Sequence, residues 1–241
     1  QYTIAQAENP VITGYEFHVI QLCTQTCPKD LILPYLRETL QELRTREPDP
    51  KPGYRARVLI AGSEIDDPEF TKMCEMAGGL VVADRYCFGS MPGREEIPLE
   101  EGKDVLQSIA DYYMWRNQCP RAMGPENIIA RKKYIFDLAE KYRADGIIVD
   151  LEDSIAPAMK QQARAALGAA VRAIAAHGLP VFVRVNNDPA LPRDDLDAAV
   201  QAPIAGVFLP KAEDPAQIAE VAGWLSASEA AHGVAAASTS L

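Results

Sequence analysis

The chain has 241 residues, a formal net charge of −10 at pH 7, 48% hydrophobic residues and 24% charged residues, which is typical of an acidic globular protein of one or two domains. Its 24 Lys and Arg residues are outnumbered by 34 Asp and Glu, so the basic surface that nucleic acids and anionic membranes require is not expected. The sequence has no run of about 18 apolar residues that could cross a bilayer, and its beginning does not have the pattern of a signal peptide.

Short β-branched runs alternate with longer helical patterns along the chain, which predicts an α/β fold with parallel strands joined by crossover helices. The predicted strands cover residues 56–61, 79–84, 146–151, 181–185 and 206–209. The predicted helices cover residues 31–45, 68–77, 102–115, a segment that begins at Pro125, 157–176, a segment near Asp195, and 215–230. The last residues, VAAASTSL, are expected to fray.

The composition changes near residue 149. All nine Tyr and all five Cys precede that position, whereas 25 of the 36 Ala follow it. No Pro-, Gly- or Ser-rich spacer separates the two parts. We therefore predict two domains, residues 1–149 and 150–241, joined inside a strand, and a continuous parallel sheet through the join is compatible with the pattern.

The cysteines are Cys23, Cys27, Cys74, Cys87 and Cys119, and no two of them form a C-x-x-C pair. This spacing predicts neither a zinc ribbon nor a thioredoxin-type motif, and it favours a protein of the reducing cytoplasm. A complete metal site cannot be assigned from these residues and the three histidines, so buried or incidental thiols are the favoured interpretation.

Polar side chains follow the first two predicted strands, at the strand ends where ligands bind in α/β folds. The residues after the first strand are Ser63, Glu64, Asp66 and Asp67, and a helix N-cap with an acidic first turn explains them at least as well as a site. The residues after the second strand are Asp84, Arg85, Tyr86, Cys87 and Ser90. For these a structural and a functional role are equally open.

The third strand end has the highest density of charge. Asp150, Glu152 and Asp153 crowd one turn, so an Arg, a divalent metal or full solvation must offset their repulsion. Arg184 lies inside the fourth predicted strand and Lys211 follows the fifth. These charges predict either a structural Arg–Asp pair in the sheet or a ligand site, and their position at strand ends favours the site.

Residues 150–241 contain DLEDSIAPAMKQQAR, VFVRVN and GVFLPKAED in that order, and this part resembles the HpcH/HpaI aldolase and citrate lyase beta subunit family. The resemblance implies part of a (β/α)8 barrel that makes or breaks carbon–carbon bonds in CoA thioesters or 2-oxo acids with Mg²⁺. It implies that Asp150, Glu152 and Asp153 form the acidic turn beside the metal and that Arg184 binds a substrate oxygen, and it leaves Lys211 as a candidate cofactor contact. The family's metal ligands come from later strands, so the resemblance implies a partial lyase site.

Residues 11–149 contain ITGYEFHVI, ARVLIAGSEIDD, GGLVVADRYCFGS and NQCPRAMGPENIIARKKYIFDLAEKYRADGIIV. This part resembles the C-terminal region of the 2-hydroxyacyl-CoA dehydratase and benzoyl-CoA reductase subunits. The resemblance implies a Rossmann-like domain, paired subunits and a 4Fe–4S cluster. The family's cysteine motif after the strand is replaced here by DLEDS, so no cluster ligand is carried over to Cys87 or Cys119.

The sequence therefore predicts a chimera that handles acyl-CoA by 2-hydroxyacyl-CoA dehydration or benzoyl-CoA reduction, with an incomplete catalytic site for either parent. One alternative is a Mg²⁺-dependent carbon–carbon lyase of CoA thioesters. The other is a non-catalytic chimera that retains CoA-thioester binding through Arg184, Lys211 or the basic run 131–133, for which a solvated helix face is the favoured interpretation. The expected partners are a CoA thioester and either a second dehydratase-like subunit or further copies of the chain.

Overall fold

A computed structural model describes residues 2–48, 54–61, 64–93, 95–115, 128–187 and 192–241, and the chain divides into two compact units, Gln1–Ala144 and Asp145–Leu241. Helices and parallel strands make up both units, which confirms the α/β prediction. The described strands form one sheet of two strands and one of three, rather than a continuous sheet through the join. None of the described helices is long and apolar enough to cross a membrane.

The first unit contains a two-stranded parallel sheet with helices before and after each strand. Its elements are α1 Tyr2–Ala5, α2 Gly14–Thr26, α3 Lys29–Thr45, β1 Ala56–Ala61, α4 Pro68–Met76, β2 Gly79–Arg85, α5 Val105–Trp115 and α6 Ile128–Lys141. Ala56 of β1 pairs with Gly79 of β2, and the register shifts between Val58 and Leu59. The buried core of this unit is formed by Ala5, Ile12, Phe17, Leu43, Leu80, Val82, Ala83, Leu138 and Tyr142.

Helix α2 was absent from the sequence prediction. It begins with a capping box, in which Thr13 Oγ1 accepts a hydrogen bond from the Glu16 amide (3.1 Å) and Glu16 Oε2 accepts one from the Thr13 amide (2.9 Å). The buried Glu75 carboxylate accepts further hydrogen bonds from the amides of Gly14 (2.8 Å) and Tyr15 (3.2 Å). The T-x-x-E spacing at Thr13 is thus a start signal that the sequence contained.

The second unit contains a three-stranded parallel sheet in the order β3-β4-β5. Its elements are β3 Ile147–Asp150, a 3₁₀ turn at Pro157–Met159, α7 Lys160–Ala175, β4 Val181–Arg184, α8 Pro192–Val200, β5 Gly206–Phe208 and α9 Pro215–Ala231. Val181, Val183 and Val207 bury one face of the sheet. The register sets Asp150 opposite Arg184 and Arg184 opposite Phe208, so the polar side chains meet at the carboxyl edge.

The prediction that the last residues fray is wrong. The Glu229 carboxylate, in a residue only 2% exposed, accepts hydrogen bonds from the amides of Ala237 (3.0 Å) and Thr239 (2.9 Å). Ser240 forms a parallel bridge to Gly206, and its carbonyl accepts a hydrogen bond from the Val207 amide (2.8 Å). The tail is ordered because a buried acid and the edge of β5 satisfy its backbone groups.

Candidate functional site

The carboxyl edge of the three-stranded sheet brings Asp150 and Arg184 together as a fork. Arg184 donates from Nε to Asp150 Oδ1 (2.8 Å) and from Nη2 to Asp150 Oδ2 (2.7 Å). This two-bond arrangement fixes the guanidinium plane, which a lysine could not do. The arginine predicted inside a strand therefore has an acidic partner, and its own side chain remains 35% exposed.

Asp150 also organises the turn that follows β3. Its carboxylate accepts hydrogen bonds from the amides of Glu152 (2.8 Å) and Ser154 (3.1 Å). Burial by itself would raise the pKa of Asp150, but the hydrogen bonds from Arg184, Ser154 and Glu152 outweigh it and hold that pKa well below its usual range. Asp150 is consequently ionised at neutral pH, with both of its oxygens engaged.

Glu152 joins two cations that come from neighbouring strand ends. Lys211 Nζ lies 2.8 Å from Glu152 Oε1, and Arg184 Nη1 lies 3.0 Å from Glu152 Oε2. The Arg184 contact is not aligned as a hydrogen bond, so Oε2 is a buried oxygen without a hydrogen-bond partner among the described residues. The Glu152 side chain is 8% exposed, which means that these two cations supply most of its counter-charge.

Asp153 is the outer member of the acidic turn. Its oxygens lie 3.4 and 3.3 Å from Lys211 Nζ, and its side chain is 64% exposed. Hydrogen bonding to Glu152 and then to Asp153 raises the pKa of Lys211. Lys211 thus stays protonated well above neutral pH and contacts two of the three carboxylates.

A second lysine, Lys160, binds the backbone of the acidic turn. Lys160 Nζ donates to the carbonyls of Leu151 (2.7 Å) and Glu152 (2.6 Å) and to Asn186 Oδ1 (2.6 Å). Sequence reasoning did not single out Lys160, although it lies in the DLEDSIAPAMK segment ten residues after Asp150. Its three acceptors are uncharged, so it brings a positive charge to the cluster and closes the turn onto β4.

Asn186 is in turn held by a buried acid of α8. Asp195, which is fully buried, accepts from the Asn186 amide (2.8 Å), from Asn186 Nδ2 (2.6 Å) and from Arg164 Nε (2.6 Å). Sequence reasoning used Asp195 only to mark a helix. Its partners Asn186 and Arg164 lie 9 and 31 residues away along the chain, so no local pattern indicates these contacts.

The backbone at Lys211 is held in the left-handed region, with φ of 53°, which is uncommon for a residue other than glycine. Asn187 Nδ2 donates to the carbonyls of Pro210 (2.8 Å) and Lys211 (3.1 Å), and Gln217 Nε2 donates to Asn187 Oδ1 (2.7 Å). This clamp fixes the turn after β5 and with it the direction of the Lys211 side chain.

The residues described at this edge do not fit a Mg²⁺ ion. Mg²⁺ requires near-octahedral oxygen ligation, yet the oxygens of Asp150 are occupied by four hydrogen bonds and Glu152 Oε1 is occupied by Lys211. No group of three or more His, Cys, Asp or Glu suited to a metal occurs in the described part of the chain.

The described cysteines do not fit an iron–sulfur cluster either. Cys23, Cys27, Cys74 and Cys87 are partly buried and form no disulfide, and they form no cluster of ligands within the described ranges. Cys119 lies outside the described residues, as do Ser63 and Pro125.

The strand ends of the first unit have structural partners. Asp67 is the N-cap of α4, and its side chain accepts a hydrogen bond from the Glu69 amide (3.0 Å). Asp84 Oδ1 accepts from the amides of Tyr86 (3.1 Å) and Ser90 (2.8 Å), which closes the loop after β2. In the basic run 131–133, Lys133 pairs with Asp137 at 2.7 Å on an exposed helix face.

Two protein-family models match the chain. The model of the 2-hydroxyglutaryl-CoA dehydratase D-component matches residues 1–154, and that of the HpcH/HpaI aldolase/citrate lyase family matches residues 128–241. Both resemblances drawn from the motifs are thereby confirmed. The matches overlap at residues 128–154, which include α6, β3 and the acidic turn. None of the curated proteins compared with the chain matches it.

Proposed function

The chain belongs to the 2-hydroxyglutaryl-CoA dehydratase D-component family, whose model matches more than half of its length, and from this we propose that it binds and acts on a CoA thioester. The reaction class that we propose is dehydration of a 2-hydroxyacyl-CoA or the related reduction of an aromatic acyl-CoA. The two family matches together support a CoA-related function, since both families are associated with acyl-CoA or oxo-acid substrates.

We place the binding of the acyl group at the carboxyl edge of the β3-β4-β5 sheet. The observation that carries this proposal is the fixed Arg184 guanidinium, whose Nε and Nη2 are held by Asp150 while the side chain stays partly exposed. A donor that is already oriented stabilises a carbonyl oxygen or an oxyanion without reorganising. In this proposal Asp150 orients Arg184, and Arg184 donates to the thioester carbonyl oxygen.

A carbon–carbon lyase acting on CoA thioesters is the second candidate, and the HpcH/HpaI match over residues 128–241 favours it. Of the two matched families, the HpcH/HpaI family is the one associated with Mg²⁺. The three carboxylates described at this edge are engaged by Arg184 and Lys211. Both candidates use the same Arg184, and they differ in whether a carbon–carbon bond is cleaved.

The organisation of the chain is also part of the proposal. We propose that residues 1–149 and 150–241 derive from the two families, and that a second dehydratase-like subunit or further copies of the chain complete the enzyme. The description of the matched family as one component of a dehydratase supports a partner subunit. A cytoplasmic location is proposed because the four described cysteines form no disulfide, as is usual in a reducing compartment.

Isothermal titration with acetyl-CoA tests the role of Arg184, with free CoA as the reference for contacts outside the acyl group. Arg184→Ala is expected to weaken acetyl-CoA binding by about tenfold or more, since a hydrogen bond to a charged donor contributes about 1.5–3 kcal/mol. Binding of free CoA is expected to change much less. Arg172→Ala, which removes an exposed arginine of the same unit, is the matched control and should bind like the wild type.

Arg184→Lys separates loss of the fork from loss of charge, because lysine keeps the charge but cannot form both bonds to Asp150. Circular dichroism and urea unfolding establish that each variant is folded before it is titrated. If folded Arg184→Ala binds acetyl-CoA as tightly as the wild type does, the proposed role of Arg184 is wrong.

A further inference from the structure

We propose that Lys211 is the resident counter-cation of the acidic turn, occupying with its ammonium group the place between Glu152 and Asp153 that a divalent metal would otherwise take. The consequence is that ligand binding at this sheet edge does not depend on a divalent metal. The location of the ligand rests on the proposed function, whereas the competition between Lys211 and a metal can be measured without any ligand.

The first support is the geometry of the two carboxylates. Glu152 Oε1 and the nearer oxygen of Asp153 lie 2.8 and 3.3 Å from the same Lys211 Nζ. Lysine presents a compact point charge that can contact both acids at once. Because Glu152 is almost completely buried while Lys211 is largely exposed, the ammonium covers this carboxylate from the solvent side, the side from which a hydrated metal ion would approach.

The second support is the balance of charge across the whole cluster. The three carboxylates Asp150, Glu152 and Asp153 are matched by three cations, Arg184, Lys211 and Lys160. Arg184 divides its charge between Asp150 and Glu152, it does not contact Asp153 in any described ion pair, and Lys160 donates only to uncharged oxygens. Lys211 is therefore the cation whose removal leaves the Glu152–Asp153 pair with excess negative charge.

The third support is the backbone that positions Lys211. A non-glycine residue in the left-handed region costs free energy and persists only where its surroundings hold it. Here Asn187, which accepts a hydrogen bond from Gln217, binds the two carbonyls that flank the Cα atom of Lys211, those of Pro210 and Lys211. The fold thus specifies the location of this ammonium group rather than leaving it as a mobile surface charge.

Removing Lys211 should convert the acidic pair into a cation site, which Mn²⁺ binding followed by electron paramagnetic resonance can detect. We expect little Mn²⁺ binding by the wild-type chain and binding at least about tenfold tighter by Lys211→Gln. Lys211→Gly removes the same charge and relieves the positive φ, so it keeps the test possible if Lys211→Gln does not fold. Lys211→Arg retains the charge and should remain like the wild type.

Lys133→Gln is the matched control, because it removes a lysine that pairs with a single exposed carboxylate, that of Asp137. It should gain no comparable affinity. Adding Asp153→Asn to Lys211→Gly should abolish the new binding, which locates the ion at the turn.

Two outcomes overturn the proposal. The first is tight Mn²⁺ binding by the wild type that Asp153→Asn removes, and the second is a folded Lys211→Gly variant with no gain in Mn²⁺ affinity. Titration of the wild type with acetyl-CoA, in EDTA and in Mg²⁺, should give the same dissociation constant in both buffers. If the wild type binds acetyl-CoA in neither buffer, the proposed function is wrong. The Mn²⁺ measurements still decide the role of Lys211 in that case.

Discussion

Replacing Asp150 by Asn tests the central contact of the site, because asparagine keeps the shape of the side chain but removes its charge and one acceptor oxygen. The wild-type carboxylate accepts two hydrogen bonds from Arg184 and two from backbone amides. Hydrogen bonds to charged groups contribute about 1.5–3 kcal/mol each when buried. Because the side chains of Asp150 and Arg184 are 20% and 35% exposed, we expect a total loss of about 2–3 kcal/mol.

Urea unfolding followed by tryptophan fluorescence measures this loss. The chain has two tryptophans, Trp115 and Trp224, so a Trp115→Phe background leaves Trp224 of α9 to report the second unit alone. With a slope of about 1–1.5 kcal/mol per molar urea, the unfolding midpoint should fall by about 2 M. Glu220→Gln makes the same change of charge at an exposed position of α9 and should shift the midpoint very little.

The pH dependence of the Asp150→Asn effect follows from the lowered pKa of Asp150. The contribution of Asp150 is complete above the pKa of an unfolded aspartate, about 3.9, and is lost as the pH falls from there through the lower pKa of the folded state. The difference between wild type and variant should thus be constant from pH 8 to about pH 5 and shrink below about pH 4. A difference below about 0.5 kcal/mol at pH 7, or one that does not shrink in acid, would refute this account of the fork.

Two further predictions concern the tail, which was wrongly predicted to fray, and helix α2, which was not predicted. Glu229→Ala should release the tail, so that the amides of Ala237 and Thr239, which the carboxylate now binds, lose protection in hydrogen exchange; unchanged protection would contradict the assigned role. Thr13→Ala should destabilise the first unit by about 1 kcal/mol through loss of the α2 cap, measured as a urea midpoint, whereas Thr13→Ser should retain most of the stability.

The strands were predicted well because the apolar runs and the residues that end them indicate the same strand bounds. The run ARVLIA forms β1 with the predicted bounds, and the remaining strands end within a few residues of their predicted positions. Each run is apolar, β-branched and bounded by Gly, Pro or charged residues, so local signals are sufficient. Helix α2 was missed because polar residues interrupt its apolar pattern and a buried acid from α4 anchors its beginning.

The candidate site was predicted in part. Parallel register explains why residues separated along the chain, Asp150 and Arg184, could be expected at one edge. The sequence did not reveal that Lys160 donates to the backbone of the acidic turn. It also did not reveal the hydrogen bonds from Asn187 that hold the backbone at Lys211. These contacts depend on where helix α7 packs and on a residue with positive φ. No local sequence pattern predicts either feature.

The acidic turn shows why a cluster of carboxylates in a sequence does not by itself indicate a metal. The three acids are neighbours in the chain, but the cations that neutralise them come from α7, β4 and the turn after β5. The carboxylates that repel one another are therefore neighbours in the chain, whereas the cations that offset the repulsion come from distant positions. Only the fold determines whether a carboxylate oxygen remains available to a ligand. In this chain Asp150 is saturated, Glu152 is shared between Arg184 and Lys211, and Lys211 is the partner that a single substitution can remove without breaking the sheet. For that reason removal of Lys211 should raise the affinity of this edge for a divalent cation, whereas removal of any one of the three carboxylates should not.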